Sequence, residues 1–276
     1  MNSSKLGKSF IALTEFSPRL RKILWGFVYN KLAAKDKAGQ LLFMNYGYAK
    51  EAEKEGGFLL GLDPKDEPFR YMIQLYHHVV EEIDLCDKEV LEVGSGRGGG
   101  GSFLLRYYQP RFYTGIDLSG SAIQWCKEHM QFSNAQWLQG SADALPVPDS
   151  SVDAVINIES SHCYPSMLNF ISEVFRVLRS GGYFAFCDMR TPAAAETLHH
   201  DFTALGLKVL HCKVITDKVL GALEQVSMQR QQQIVSQVPR ALHAVFRDFV
   251  GIKNTALYNM MANGEMMYLS YLCKKP

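Results

Sequence analysis

The chain has 276 residues, with 29 Lys and Arg against 28 Asp and Glu, a net charge of +1, and 47% hydrophobic and 21% charged residues. That length buries one sizeable core, or a core plus a cap. A charge so near zero offers no field for nucleic acid, which is excluded as a favoured partner.

Cys86, Cys126, Cys163, Cys187, Cys212 and Cys273 are scattered without a Cys-x-x-Cys pair, which reads as reduced, mostly buried thiols of a cytoplasmic protein. No stretch reaches the ~20 consecutive apolar residues of a membrane span, and Lys8, Glu15, Pro18 and Arg19 interrupt any leader-like run. Residues 1–38 are basic, with Lys5, Lys8, Arg19, Arg21, Lys22, Lys31, Lys35 and Lys37 against Glu15 and Asp36. Between them Ile23, Leu24, Phe27, Val28 and Leu32 recur at helical spacing. Such a helix either packs its apolar face on the core or makes a peripheral contact with an anionic membrane.

Gly56-Gly57 and Asp63-Pro64 mark a loop, and 67–83 reads as a helix with Tyr71, Leu75, His78, Val79 and Glu82 stepping around it. Residues 1–84 are therefore expected to form a helical N-terminal cap, and 85–276 the main domain. From 88 to 190 strands at 89–93, 112–117, 135–139, 154–158 and 183–188 alternate with helices at 102–108, 119–129 and 167–178. This is the pattern of a parallel sheet with right-handed crossovers. A helix at 192–205 and strands at 208–216 and 266–273 follow. The long connection at 217–263 reads as a helical lid over an acceptor pocket.

Ligands of such sheets sit at the carboxyl ends of the strands, where Glu92, Asp117, Asp143 and Glu159 fall. Val90-Leu91-Glu92-Val93-Gly94-Ser95-Gly96-Arg97-Gly98-Gly99-Gly100-Gly101 is a buried strand running into a glycine turn that lets a ligand approach the backbone. Glu92, just ahead of the first glycine, would repel a pyrophosphate on the following helix, so the turn favours a cationic ligand without phosphates and counts against a nicotinamide cofactor. Arg97 either pairs with Glu92 or faces solvent. Asp117, at the end of Tyr113-Thr114-Gly115-Ile116-Asp117, suits ribose hydroxyls. Asp143, in Gly140-Ser141-Ala142-Asp143, can accept from an exocyclic amino group. Together they describe a nucleoside with a cationic tail.

These motifs, with Val152-Asp153-Ala154-Val155-Ile156-Asn157-Ile158-Glu159 and Glu173-Val174-Phe175-Arg176-Val177-Leu178-Arg179-Ser180-Gly181-Gly182, resemble class I S-adenosylmethionine-dependent methyltransferases of the sterol and ubiquinone/menaquinone branch. Phe43-Met44-Asn45-Tyr46-Gly47-Tyr48, Ile158-Glu159-Ser160-Ser161-His162-Cys163-Tyr164-Pro165 and Gly264-Glu265-Met266-Met267-Tyr268 are most similar to the phthiotriolone and phenolphthiotriolone dimycocerosates ketone methyltransferases. The resemblance implies a Rossmann-like α/β sheet, mostly parallel with the last strand antiparallel. It also implies S-adenosyl-L-methionine as cofactor, S-adenosyl-L-homocysteine as product, and no metal. It would set the backbone of Gly94, Ser95, Gly96 and Gly98 along the methionine moiety, Glu92 toward its ammonium, Asp117 on the ribose, Leu118 against adenine, and Ala142 and Asp143 on the base edge. Asn157 and Ile158 complete the cofactor set.

Tyr46 and Tyr48 either close over the sulfonium, since an aromatic face attracts a cation, or pack within the cap. His162 is the candidate general base because imidazole titrates near physiological pH; its alternative role is to shape the pocket. Glu159 is expected to orient His162 or touch the cofactor, and Asp188 receives no role. His77-His78 and His199-His200 lack metal-ligand spacing. The implied activity is methyl transfer to a hydroxyl or enolised-ketone oxygen of a hydrophobic small molecule. C-methylation of an isoprenoid, sterol or quinone and non-catalytic S-adenosylmethionine binding are the alternatives.

Overall fold

Strands β1 (Glu89–Val93), β2 (Phe112–Asp117), β3 (Ala135–Gln139), β4 (Val152–Ile158), β5 (Leu178–Arg190), β6 (Lys208–Val214) and β7 (Met267–Lys274) form one sheet in the order β3-β2-β1-β4-β5-β7-β6. The first five run parallel, and β7 lies antiparallel between β5 and β6. This is the mostly parallel, Rossmann-like arrangement with an antiparallel last strand. The computed structural model describes residues 42–49, 60–237, 243, 247 and 251–276; the basic amphipathic segment 1–38 and part of the 217–263 connection lie outside the described residues.

Both faces of the sheet are covered, which is why its strands read as nearly continuous apolar runs. Alternate side chains separate two cores. Val90, Tyr113, Ile156 and Ala185 meet α1 (Arg70–Val80) and α2 (Gly99–Tyr107), through residues such as Leu75, Val80, Phe103 and Leu104. Leu91, Ile116, Val155, Phe184 and Phe186 meet α4 (Met167–Val177) and α5 (Pro192–Ala204) on the other face, through Phe170, Val174, Leu198 and Phe202. Helix α3 (Gly120–His129) covers β2 and β3. Because Leu75 and Val80 share a core with Val90, the boundary drawn at residue 84 separates elements that pack together.

Two further helices are described, α6 (Thr216–Gln237) and α7 (Ala256–Ala262). Val219 and Leu223 of α6 and Leu257 and Met261 of α7 join the first core. Helix α6 also holds the segment 42–49, whose Ala49 N–H donates to the Lys218 carbonyl at 3.0 Å.

Several boundaries move for local reasons. A 3-10 turn at Glu67–Phe69, with Pro68 in it, precedes α1. Helix α2 begins at Gly99 rather than 102, because Gly98 at φ 74° closes the turn and the glycines that follow admit neighbours no side chain would. A Cβ on Gly100 would lie 2.0 Å from the Tyr76 ring. Strand β6 stops at Val214, since Thr216 opens α6 and its hydroxyl accepts the Tyr268 N–H at 2.9 Å.

Candidate active site

The carboxyl ends of β1, β2 and β4, with the segment 42–46 laid across them, enclose a cavity lined by Gly94, Ser95, Gly96, Asp117, Leu118, Ala142, Tyr46, Ile158, Glu159 and His162. Ten residues singled out in the sequence are thus brought to one cavity.

On the β1–β2 side the wall is backbone. Gly94 sits at φ 82°, a left-handed conformation that favours glycine, and a Cβ there would fall 2.3 Å from Ser160 Oγ. Asp117 steadies the turn: Oδ2 accepts the Gly96 N–H at 2.8 Å and Oδ1 accepts the Ser119 N–H at 2.8 Å. Burial holds its carboxyl above the ordinary range against those bonds. The Leu118 N–H also bonds this carboxylate, and of its roughly four lone-pair sites one is left for a ribose hydroxyl. The Ser95 hydroxyl is buried and has no hydrogen-bond partner among the described residues. Leu118 is 39% exposed at the cavity lip, an apolar surface suited to a planar base. The residues present therefore fit an adenosine with a methionine tail.

Four expected cofactor residues lie behind the wall. Glu92 is 1% exposed and outside the lining. The Tyr76 hydroxyl donates to Oε1 at 2.6 Å and the Tyr113 hydroxyl donates to Oε2. Burial, opposed by those two bonds, pushes its carboxyl up to about 7, so Glu92 reaches the cavity through Tyr76, which does line it. Gly98 packs on Trp137, whose ring would be 2.6 Å from a Cβ. The two N–H groups of Asn157 Nδ2 are shared among the Val93 carbonyl at 2.8 Å, Ser160 Oγ at 2.8 Å and the Tyr164 hydroxyl at 2.9 Å, bracing the turn from below. Asp143 accepts from the Ser141 hydroxyl. Arg97 does not face solvent: it is 1% exposed, its guanidinium lies 4.1 Å from the centre of the Trp125 ring, and both Glu92 oxygens are held by tyrosines.

On the β4–β5 side the wall is ionisable. Glu159 ends β4 at φ 49°, an unusual conformation for a side chain of its size and a form of strain that concentrates at functional sites. Its Oε1 accepts the Tyr46 N–H at 2.6 Å. Burial and the charge of Asp188 push the Glu159 carboxyl up to about 7, against hydrogen bonds from Tyr268 and Tyr46. The Tyr46 phenol is held well above its usual range by burial and by Glu159. Tyr48 faces elsewhere, stacked on His78 with ring centres 4.4 Å apart.

His162 lies in the 3-10 turn Ser161–Cys163 that follows β4. Its partner is Asp188 rather than Glu159: Nδ1 is 2.7 Å from Asp188 Oδ1, and the His162 N–H donates to Oδ2 at 2.9 Å. Asp188 is fully buried and also accepts the Ser161 hydroxyl at 2.6 Å. Burial pushes the imidazole down, but the charge of Asp188, the neighbouring Cys163 and hydrogen bonds to both together push it further up, ending well above 6.5. The carboxyl in turn is held well below the usual range by His162 and Arg190, despite burial. With Nδ1 on Asp188, a proton exchanged with a ligand in the cavity passes through Nε2.

Sequence reasoning passed over Asp188. The signal was present, because an acid at the carboxyl end of a strand is the feature that marks Asp117, and Tyr183-Phe184-Ala185-Phe186-Cys187-Asp188 ends the same way. Arg230 also carries no local signal; its Nη2 donates to the Asn45 carbonyl at 2.8 Å and ties α6 to the cavity cover. Of the paired histidines, His77 meets the Tyr108 hydroxyl at 2.6 Å and His199 lies beside the Tyr271 ring at 6.0 Å. Among the described residues no three His, Cys, Asp or Glu side chains could together hold a metal, and no helix is long and apolar enough to cross a membrane.

Residues 91–186 match the family model described as a methyltransferase domain. Over 254 residues the chain is 34% identical to the phthiotriol/phenolphthiotriol dimycocerosates methyltransferase of Mycobacterium tuberculosis, covering 92% of this chain and 93% of that one. It is 35% identical over 251 residues to the fatty-acid O-methyltransferase of Mycolicibacterium smegmatis, covering 90% and 89%. Among solved structures, that of the [4+2]-cyclase SpnF superposes with a TM-score of 0.67 over 91% of this chain and 94% of its own, at 19% identity, a likeness of fold.

Proposed function

The chain belongs to the class I S-adenosylmethionine-dependent methyltransferases, and from that premise we propose that it methylates a hydroxyl or enolised-ketone oxygen of a hydrophobic, lipid-like molecule, with His162 as general base and without a metal. The observation that carries this reading is the His162–Asp188 pair, 2.7 Å apart at the cavity wall. A carboxylate behind an imidazole fixes its orientation and tautomer and stabilises the protonated ring. The names of the relatives, a phthiotriol methyltransferase and a fatty-acid O-methyltransferase, support an oxygen acceptor on a lipid.

Gly94, Ser95, Gly96, Asp117, Leu118 and Ala142 would hold the donor, with Glu92, Gly98, Asp143 and Asn157 supporting that wall from behind and Ile158 and Tyr46 at its edge. Bound there, S-adenosylmethionine supplies an electrophilic methyl group on a sulfonium. The chain's own residues do the rest. The covering segment at Tyr46, latched to Glu159, excludes water and keeps the acceptor oxygen in line. His162 Nε2 takes the hydroxyl or enol proton. Only the neutral ring can do so, and the ring's titration lies above 6.5, so turnover rises with pH through that region and falls away in acid.

A cytoplasmic location, with residues 1–38 resting on an anionic membrane surface, belongs to the same reading and is supported by the six free thiols and the basic segment. The test offers methyl-labelled donor with long-chain alcohols, enolisable lipid ketones and charged water-soluble acceptors. We expect turnover of the first two and a methoxy carbon in the carbon NMR spectrum of the product. A C-methyl carbon would make it a C-methyltransferase, and faster turnover of the charged acceptors would remove the lipid assignment.

A further inference from the structure

Every contact of the Asp188 carboxylate is made within the His162 turn or at the end of β5, and one of them comes from a second cation. Oδ1 meets His162 Nδ1 at 2.7 Å and accepts the Met189 N–H at 2.8 Å. Oδ2 accepts from the His162 N–H at 2.9 Å and the Ser161 hydroxyl at 2.6 Å, and lies 3.2 Å from Arg190 Nη1. Arg190 is itself fixed: Nη1 donates to the Met189 carbonyl at 2.6 Å, Nη2 donates to Ser161 Oγ at 2.6 Å, and the guanidinium lies 5.6 Å from the Phe186 ring centre. Its side chain is 10% exposed, so solvent screens the pair little. One buried carboxylate is therefore gripped by an imidazole and a guanidinium, with Ser161 bridging the carboxylate and the guanidinium.

We propose that Arg190 is a positioning residue for the reaction: by sharing the Asp188 carboxylate with His162 it sets both the orientation of the ring and its basicity. This rests on the reading of His162 as the base. A buried carboxylate left to the imidazole alone would hold its proton so firmly that little neutral ring would exist near pH 7. A permanent cation on Oδ2 takes up part of the negative charge and loosens that hold. Arginine suits the task because it does not titrate in this range and its planar fork spans Asp188 and Ser161 at once. The other ionisable groups facing this site are Glu159 at the end of β4, Cys163 in the turn, Tyr164 after it, Tyr46 in the covering segment, Cys187 on β5, Tyr268 and Tyr271 on β7 and Arg230 on α6. Of these Tyr271 feels the Arg190 charge directly, and its phenol stays above its ordinary range, so the His162 titration reads the effect of Arg190 near neutral pH.

The experiment titrates His162 by imidazole NMR in wild type, Arg190→Gln and Arg190→Lys, and measures kcat against pH at saturating donor. For Arg190→Gln the His162 titration should rise by about one unit. The acid limb of the kcat profile should move by the same amount, so that activity falls roughly tenfold at pH 7 and recovers in alkali. Arg190→Lys, which keeps the charge, should restore most of both. Arg190→Met, of similar length beside Phe186 and Met167, provides a second neutral variant if the glutamine does not fold. An unmoved His162 titration, with kcat lowered by one factor at every pH, would overturn the proposal and leave Arg190 a structural residue. A moved titration with an unmoved rate profile would remove His162 as the base and, with it, the part of Arg190 in the reaction, leaving only the grip on the ring.

Discussion

Along β1 and β2 the cavity is walled by glycine backbone, by N–H groups turned onto Asp117 and by one exposed leucine; along β4 it is walled by Glu159 and His162, with Asp188 and Arg190 of β5 behind His162, all ionisable. The first wall recognises by shape, and a substitution there acts through collision and backbone strain. The second acts through protons, so a substitution there changes a charge balance and its signature is a pH dependence. In the proposed reading, donor binding and proton removal therefore fall to different chemistry on neighbouring strand ends.

The largest effect should come from the ionisable wall. Asp188→Ala leaves an imidazole and a guanidinium buried together without their carboxylate, and removing one partner of a buried pair costs about 3–5 kcal/mol. Urea unfolding at pH 7 should show that loss. The Asp188 carboxyl is held below its ordinary 3.8 in the folded chain, so its stabilisation is present above that value and lost as the pH falls through the folded one. The gap between variant and wild type should therefore narrow in strong acid.

On the backbone wall, Gly94→Ala combines φ 82° with a Cβ 2.3 Å from Ser160 Oγ. Donor affinity by calorimetry should fall by about 2–4 kcal/mol, while the His162 titration stays in place. A shift of that titration would mean the two walls are not separate.

Glu92→Gln should have the smallest effect and sharpens the comparison from behind the backbone wall. The Glu92 carboxyl titrates near 4.5 when unfolded and at about 7 when folded. The folded chain therefore binds the extra proton between those values, and the stabilisation is full below about 4.5 and lost as the pH rises through about 7. Thermal or urea unfolding from pH 5 to 7.5 should show the wild type losing about 2 kcal/mol more than Glu92→Gln. Parallel curves would mean that Glu92 is ionised in the folded chain throughout.

The two walls also differed in how far they could be read from the chain. Gly94, Gly96, Asp117 and Leu118 sit within consecutive strand-turn units, where local spacing carries the geometry, and the first five strands were legible for the same reason. Helix α2 began three residues early because the space around Gly100 is set by Tyr76 on a preceding helix, which no local pattern reports. His162 was visible as an imidazole after a strand. Its partner lies 26 residues further along the chain, and only the parallel pairing of β4 with β5, Ile158 opposite Cys187, brings Asp188 beside the turn. Glu159 was expected to orient His162 or touch the cofactor; it lines the cavity, and its left-handed backbone turns the carboxylate to the Tyr46 N–H rather than to His162.

The division of labour is tested most directly by measuring donor affinity and turnover side by side in His162→Ala. The two-wall account predicts donor affinity within about twofold of wild type and turnover lower by about 10²–10⁴. Full turnover in the variant, or affinity and turnover falling together, would contradict it.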